Sequence, residues 1–110
     1  MRAQIKIGDL RHRIAIEQIA RTSDGGGGAV IAWTVLGEVW AAIWPRNASE
    51  KFELDRVAGR ATHDIWIRFR SDVRPEMRIR FGARTFDIRG LIDAEDRGAW
   101  LKCVVEERDL

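Results

Sequence analysis

Residues 63–92, with the sequence HDIWIRFRSDVRPEMRIRFGARTFDIRGLI, contain three short runs in which apolar and polar side chains alternate. The runs span 63–70, 76–81 and 84–90. Successive side chains of a β-strand point to opposite faces, so alternation kept through three runs predicts strands and not helices. The tight turns between them predict an antiparallel meander. Its buried face would carry Ile65, Ile67, Phe69, Met77, Ile79, Phe81, Phe86 and Ile88.

The opposite face of this predicted meander is rich in arginine. It carries Trp66 together with Arg68, Arg70, Arg78, Arg80 and Arg89. Barrels that bind single-stranded nucleic acid interleave basic residues with aromatic side chains for base stacking, and only Trp66 does so here. Acidic neighbours that could pair with the arginines are Asp64, Asp72, Glu76 and Asp87. The pattern favours a salt-bridged surface facing solvent or protein, and nucleic-acid binding stays the alternative.

The remaining segments are also typical of β-structure. A first strand is predicted over 11–21, followed by a glycine-rich hairpin tip over 22–29 that we expect to be flexible. A long β-rich segment over 30–44 is interrupted near Gly37, where a bulge or bend is expected. An acidic turn at 93–98 precedes a final strand over 99–108. The chain is therefore predicted to be all-β, a small antiparallel β-barrel or sandwich of about six strands forming one domain over residues 1–110.

The predicted core combines the inward positions of all these strands. Replacing a large member of it by alanine is expected to cost about 3–5 kcal/mol, with Phe69 and Phe86 the clearest cases. The full predicted set is Ile14, Ile16, Val39, Ile43, Ile65, Ile67, Phe69, Ile79, Phe81, Phe86, Ile88, Leu101 and Val105.

The segment 46–60 breaks the alternation. Asn47 followed by Glu50 is a capping pattern, so the segment is predicted to be a short helix or a long loop inserted between the second and third strands. It carries Phe52, Leu54 and Val57, which need cover. It would either fold over the end of the barrel or pack against a neighbouring subunit.

Catalytic and cofactor-binding patterns are lacking in the sequence. The glycine run has no Gly-Lys-Ser/Thr ending, and His12 and His63 have no partner at metal-ligand spacing. No serine has a plausible histidine and aspartate nearby, and Cys103 is the single cysteine, in an apolar run that predicts burial. The sequence predicts no enzyme, no cofactor and no metal site. No apolar run approaches the length of a membrane span or of a signal peptide core, and the net charge is only +2.

Several landmarks, taken in order, resemble a known family. They are GDLRHRIAIE at 8–17, VWAAIWP at 39–45, Glu50 in the insertion, HDIWIRFR at 63–70, Val73 with MRI at 77–79, and TFDIRGLID at 85–93. Together they resemble the phage head–tail joining proteins, also called head-closure or stopper proteins, of tailed phages, prophages and gene transfer agents. The resemblance covers nearly the whole chain. Four consecutive glycines and the absence of tyrosine depart from the family pattern without touching these landmarks.

The resemblance implies a structural subunit of the virion neck, assembled in the bacterial cytoplasm. Such subunits form a homo-oligomeric ring, with the portal or adaptor on the head side, the tail tube or tail terminator on the tail side, and packaged double-stranded DNA in the channel. The alternatives are a single-stranded nucleic-acid-binding barrel or another neck component, an adaptor or tail terminator. The inserted loop would face the channel or a neighbour through Glu50, Phe52, Leu54, Arg56 and Val57. A DNA- or partner-facing basic surface would be formed by Arg68, Arg70, Arg78, Arg80 and Arg89.

Overall fold

Six strands and one short 3-10 helix make up the structure, a computed structural model that describes residues 5–46, 61–93 and 98–108. The 3-10 helix, Ile7–Asp9, precedes the first strand. The strands are β1 (His12–Ser23), β2 (Ala29–Pro45), β3 (His63–Arg68), β4 (Arg78–Phe81), β5 (Arg84–Asp93) and β6 (Trp100–Glu107). The inserted segment predicted over 46–60 falls almost wholly outside the described residues, as do residues 94–97 of the acidic turn.

All six strands are antiparallel and close into a barrel in the order β1-β2-β3-β6-β5-β4. The predicted all-β barrel is confirmed. Closure pairs β4 with β1 and β3 with β6, so the short strands have no open hydrogen-bonding edge along the paired stretches. No helix among the described residues has the length and apolar content needed to cross a bilayer.

The predicted three-stranded meander is wrong in one respect. β4 and β5 do form a tight hairpin, whose turn places Gly82 at a φ of 60°, in the left-handed region that glycine tolerates. β3, however, pairs with β2 and β6 and not with β4. The alternation of apolar and polar residues indicates which side chains face the core, but it does not determine which strands pair. The connection over 69–77 is long enough to cross the barrel, and the strand order depends on how the barrel closes.

The core fills the barrel interior with most of the predicted residues. Ile14, Ile16, Ile65, Ile67, Ile79, Phe86, Ile88, Leu101 and Val105 are buried, and Val39, Ile43 and Phe81 pack against them partly buried. Phe69 is a wrong prediction, because β3 ends at Arg68 and the Phe69 side chain lies beyond the last paired row, 39% exposed. The core also contains Met77 and Cys103, whose burial was predicted from their own segments, and Ala41 and Val73, which were not predicted.

β1 and β2 continue past the barrel as a two-stranded arm, residues 18–23 and 29–35. β4 pairs with β1 only over Ala15–Glu17, and β3 pairs with β2 only over Ala42–Pro45, so no third strand covers the arm among the described residues. The structure measures 54 × 28 × 27 Å, and the length reflects this projection. The pairing of β1 with β2 shifts register beside Gly37, which confirms the predicted bulge.

The glycine-rich segment forms the hairpin tip at the end of the arm. The Asp24 carboxylate accepts hydrogen bonds from the backbone N–H groups of Gly26 (2.8 Å) and Gly28 (3.1 Å). Gly25 and Gly27 have φ values of 84° and 88°, which other residues rarely adopt. Asp24 therefore supplies a local organising contact that the prediction of a flexible tip did not include, and the flexibility itself stays a prediction.

Candidate functional site

The five arginines predicted to share a face lie in two separate groups. Arg68 ends β3 and Arg70 follows it, next to β2, whereas Arg78, Arg80 and Arg89 lie on β4 and β5. Because β3 and β4 are not neighbours in the barrel, these residues form no continuous basic face. The predicted insertion residues Glu50, Phe52, Leu54, Arg56 and Val57 lie outside the described residues.

Most of these arginines have a carboxylate partner. Arg70 makes two hydrogen bonds to Asp72 (3.0 and 2.8 Å), which hold the pKa of the Asp72 carboxyl below its usual value. Arg89 donates to Glu106 on β6 (2.7 Å). These pairs are solvent-accessible and contribute little stability, but they neutralise the charges that a DNA-facing surface would need. The geometry agrees with the salt-bridged surface favoured from the sequence.

The Arg70 side chain also lies close to the backbone of Gly37. Its guanidinium lies over Gly37 at the β2 bulge, where a Cβ would come within 2.5 Å of Arg70 Nη1. The contact brings the segment after β3 against the base of the arm. A side chain at position 37 would require the Arg70 guanidinium to move.

Arg78 ties the arm to the barrel. Its Nε donates to Glu17 Oε1 of β1 (2.6 Å), and its guanidinium lies 4.0 Å from the ring centroid of Trp33 on β2. Both members of the ion pair are about seven-eighths buried, with side-chain exposures of 13% and 14%. Partial burial makes the charge-assisted hydrogen bond and the cation–π contact worth more than at a free surface. Arg78 is thus a structural clamp in this chain.

Arg78→Met should loosen the arm selectively. We expect the free energy of unfolding to fall by roughly 1–3 kcal/mol, because Glu17 is left without its partner. Amides of the arm should exchange with solvent at least about tenfold faster, as judged by hydrogen exchange. Arg89→Met removes an exposed ion pair from the neighbouring strand and should cost no more than about 1 kcal/mol. Equal effects of the two substitutions on arm exchange would contradict the clamp.

Trp66 is unavailable as a base-stacking platform. It lies on the outer face of β3, as predicted, but it is only 7% exposed. Trp44 lies 6.1 Å away between ring centroids, and the Lys102 ammonium lies 5.6 Å from the indole centroid. The outer face of β3 is covered at this row, so the aromatic residue that the nucleic-acid alternative relied on is buried.

The arm exposes apolar side chains that the sequence reasoning missed. Val30, Ile31 and Val35 are each more than half exposed. Ile31 is paired with Arg21 and Val35 with Glu17, and Trp33 lies between them on the same side of the ribbon. The available signal was the run VIAW at 30–33, which is apolar on both faces of a strand where one solvated face should be polar. Contiguous exposed apolar surface marks interaction sites.

The two histidines and the cysteine pack against other side chains of the barrel. The rings of His12 and His63 pack edge-on against Phe81 (4.8 Å) and Phe86 (5.4 Å). Across the described ranges no three potential metal ligands come together. Cys103 is fully buried, as predicted from its apolar run. Burial, with a smaller contribution from Asp64, raises the pKa of its thiol to about 12.

The Cys103 thiol should therefore resist alkylation in the folded chain. The thiolate is the reactive form, and a pKa raised from 9.0 to about 12 leaves almost none of it at pH 8. We expect iodoacetamide to modify the native chain at least about a hundredfold more slowly than the urea-unfolded chain, as followed by mass spectrometry. Rapid modification at low denaturant would show that β6 opens locally.

Comparisons with known proteins agree with this architecture. The solution structure of protein SF1141 from Shigella flexneri 2a is similar, with a TM-score of 0.78 and 28% identity over 94% of this chain and 96% of that one. A chain from the virion of a native gene transfer agent particle is similar with a TM-score of 0.62 and 27% identity, over 90% of this chain and 96% of that one. No curated protein sequence is significantly similar to the chain.

The family-level comparison is decisive. A family model described as phage head completion protein matches residues 5–108, which is nearly the whole chain and includes every strand of the barrel. It agrees with the predicted resemblance to head–tail joining proteins, and with the similarity to a component of a phage-like particle. The chain belongs to the phage head completion protein family and is a structural component of a phage or phage-like particle.

Proposed function

We propose that the chain is the head-closure subunit of the particle. In this proposal it forms a homo-oligomeric ring between the portal or adaptor on the head side and the tail tube or tail terminator on the tail side. Packaged double-stranded DNA passes through or is retained by the channel. The family membership supports a role in completing the head, and the similarity to a gene transfer agent chain supports a place in the virion.

The observation that carries the proposal is the uncovered arm. A chain that worked alone would leave Val30, Ile31 and Val35 in water, at a cost of roughly 25 cal/mol for each Å² of apolar surface left exposed. The free edges of a two-stranded ribbon also invite pairing with another chain. Repetition around a closed ring covers such a surface on every subunit, because each arm meets the same site on its neighbour.

The alternative of a single-stranded nucleic-acid-binding barrel is less well supported. Trp66 is buried, and Arg70, Arg78 and Arg89 have carboxylate partners. A channel that contacts the backbone of duplex DNA needs no stacking aromatics, so the burial of Trp66 does not count against it. We retain Arg68 and Arg80, with the insertion residues Glu50, Phe52, Leu54, Arg56 and Val57, as proposed channel- or neighbour-facing positions.

Deletion of the gene in a strain that makes the particle tests this function. We expect heads that have packaged DNA but fail to keep it or to join tails, visible by negative-stain electron microscopy. Purified wild-type chain added to an extract of that strain should restore joined particles. Joined, DNA-filled particles in the deletion strain would overturn the proposal. Closed heads with tails of altered length would instead indicate a tail terminator.

A further inference from the structure

A groove lies where the 3-10 helix meets β1, β2 and β3. Its volume is about 480 Å³, within the range of specific binding sites. The groove is lined by Ile7, Leu10, Arg13, Val39, Trp40 and Arg68. None of these residues belongs to the arm. The groove is therefore a second, separate surface of the molecule.

Arginine and tryptophan alternate across four neighbouring strands at this groove. Arg13 on β1 is paired with Trp40 on β2, and Arg68 on β3 is paired with Trp100 on β6. Arg13 lies 5.5 Å from the Trp40 centroid, and Arg68 lies 5.6 Å from that of Trp100. The cation–π contacts hold both guanidinium groups at the surface in defined positions.

Among the described residues, the two groove arginines lack the carboxylate partner that most other arginines on the barrel have. Six arginines each form an ion pair with a carboxylate: Arg46, Arg70, Arg78, Arg84, Arg89 and Arg108. Arg13 and Arg68 form no ion pair within the part of the chain that the structure describes. Glu38, which is exposed on the same strand as Trp40, does not pair with either of them. Two positive charges with no carboxylate partner among the described residues therefore flank the apolar side chains of the groove.

The apolar part of the groove is open to solvent. Ile7 is 64% exposed and Trp40 is 52% exposed, although both lie beside the partly buried Leu10 and Val39. Tryptophan and arginine are the residue types that contribute most to binding at protein interfaces. A guanidinium also matches a carboxylate geometrically through two parallel hydrogen bonds. These features together specify the chemistry of an occupant.

We propose that this groove binds an extended segment of another protein in which a carboxylate stands next to a large apolar side chain. The apolar side chain would enter the floor formed by Leu10, Val39 and Trp40, and the carboxylate would bind Arg13 or Arg68. The proposal rests on the assembly role only in taking the segment to come from another protein of the particle. The groove itself is tested below whether or not the chain forms a ring.

A nucleic acid fits this groove less well. Each indole ring already has a guanidinium over it, so a stacked base would have to displace an arginine. The aliphatic floor of Leu10 and Val39 suits a side chain better than a planar base. Single-stranded binding would require free aromatic faces along a basic track. Binding of an oligonucleotide in the groove would therefore overturn the proposal.

The test uses a random library of 12-residue peptides panned against the immobilised full chain. Enriched peptides are expected to carry an aspartate or glutamate within two residues of an aliphatic or aromatic side chain. The tightest of them is then labelled and measured by fluorescence anisotropy. R13E with R68E should weaken its binding at least tenfold, and W40A should do the same. Replacing its acid by the corresponding amide should weaken binding to the wild-type chain by a similar factor.

Matched controls separate the groove from general charge and folding effects. R89E changes an exposed arginine of β5, away from the groove, and should leave peptide affinity within twofold of wild type. R13Q with R68Q serves if the glutamate variant melts more than a few degrees below wild type. Failure to enrich peptides, enrichment without acids, or equal losses with R89E would each overturn the proposal. Tighter binding of a twelve-nucleotide deoxythymidine strand, lost in the same variants, would also overturn it.

Discussion

Phe86→Ala should lower the free energy of unfolding by about 3–5 kcal/mol. Phe86 is the largest fully buried side chain of the barrel. Its ring packs against His63 (5.4 Å), and the Arg84 guanidinium lies 5.0 Å from its centroid. The surrounding strands close a barrel and have little freedom to collapse into the cavity, so the loss should lie in the upper part of this range. Urea denaturation followed by tryptophan fluorescence measures it.

Phe69→Ala provides the matched control for that substitution. The same residue type changes in the same way, but Phe69 is 39% exposed beyond the end of β3. We expect its cost to be less than half that of Phe86→Ala, because much of its surface remains in water in the folded chain. Equal costs at the two positions would show that Phe69 belongs to the core and that the strand end is misplaced.

Ile31→Glu should abolish the joining of heads to tails while leaving the barrel folded. Ile31 is more than half exposed on the arm, so a charge there should change the stability of the isolated chain by no more than about 0.5 kcal/mol. At a subunit contact, however, an unpaired carboxylate would be buried at a cost of roughly 3 kcal/mol or more. We expect in vitro complementation of the deletion extract to fall at least about a hundredfold.

Ile92→Glu is the control for the arm. Ile92 is also an exposed isoleucine, 44% accessible, but it lies on β5 and outside the arm. Thermal melting of both variants should match wild type, and only Ile31→Glu should lose activity in the complementation assay. Full activity of Ile31→Glu would exclude the arm as a contact surface, even if the chain itself proved to be a ring subunit.

Alternation in the sequence was sufficient for the fold class and for most of the core. Ile65, Ile67, Ile79 and Ile88 lie where a period of two places them, and all are buried. The interruption at Gly37 correctly located a bulge. These features depend on neighbouring residues in one strand. Local sequence encodes them directly, because the pleat determines which side chains share a face.

Features that depend on barrel closure could not be predicted from the alternation. Glu17 and Arg78 meet because β4 closes onto β1, and no local pattern relates the two positions. The same closure separates Arg68 from Arg80, so the predicted arginine face is divided between two parts of the wall. Phe69 follows the alternation but lies past the last paired row, where the period of two no longer determines burial.

The candidate surfaces were the least predictable part of the molecule. The arm became visible only when the pairing showed that β1 and β2 extend past every other strand. The Arg–Trp groove depends on the register that sets Arg13 beside Trp40 and Arg68 beside Trp100. Register follows from turn geometry and closure, and a change of one residue would turn each of these side chains to the other face.

Cryo-electron microscopy of the intact particle would show where the chain lies and what covers its arm. We predict a closed ring of this barrel between the portal and the tail, with the Ile31 and Val35 side of each arm buried against the neighbouring copy. Copies of the chain elsewhere in the particle, or a ring in which Val30, Ile31 and Val35 all remain exposed to solvent, would contradict it.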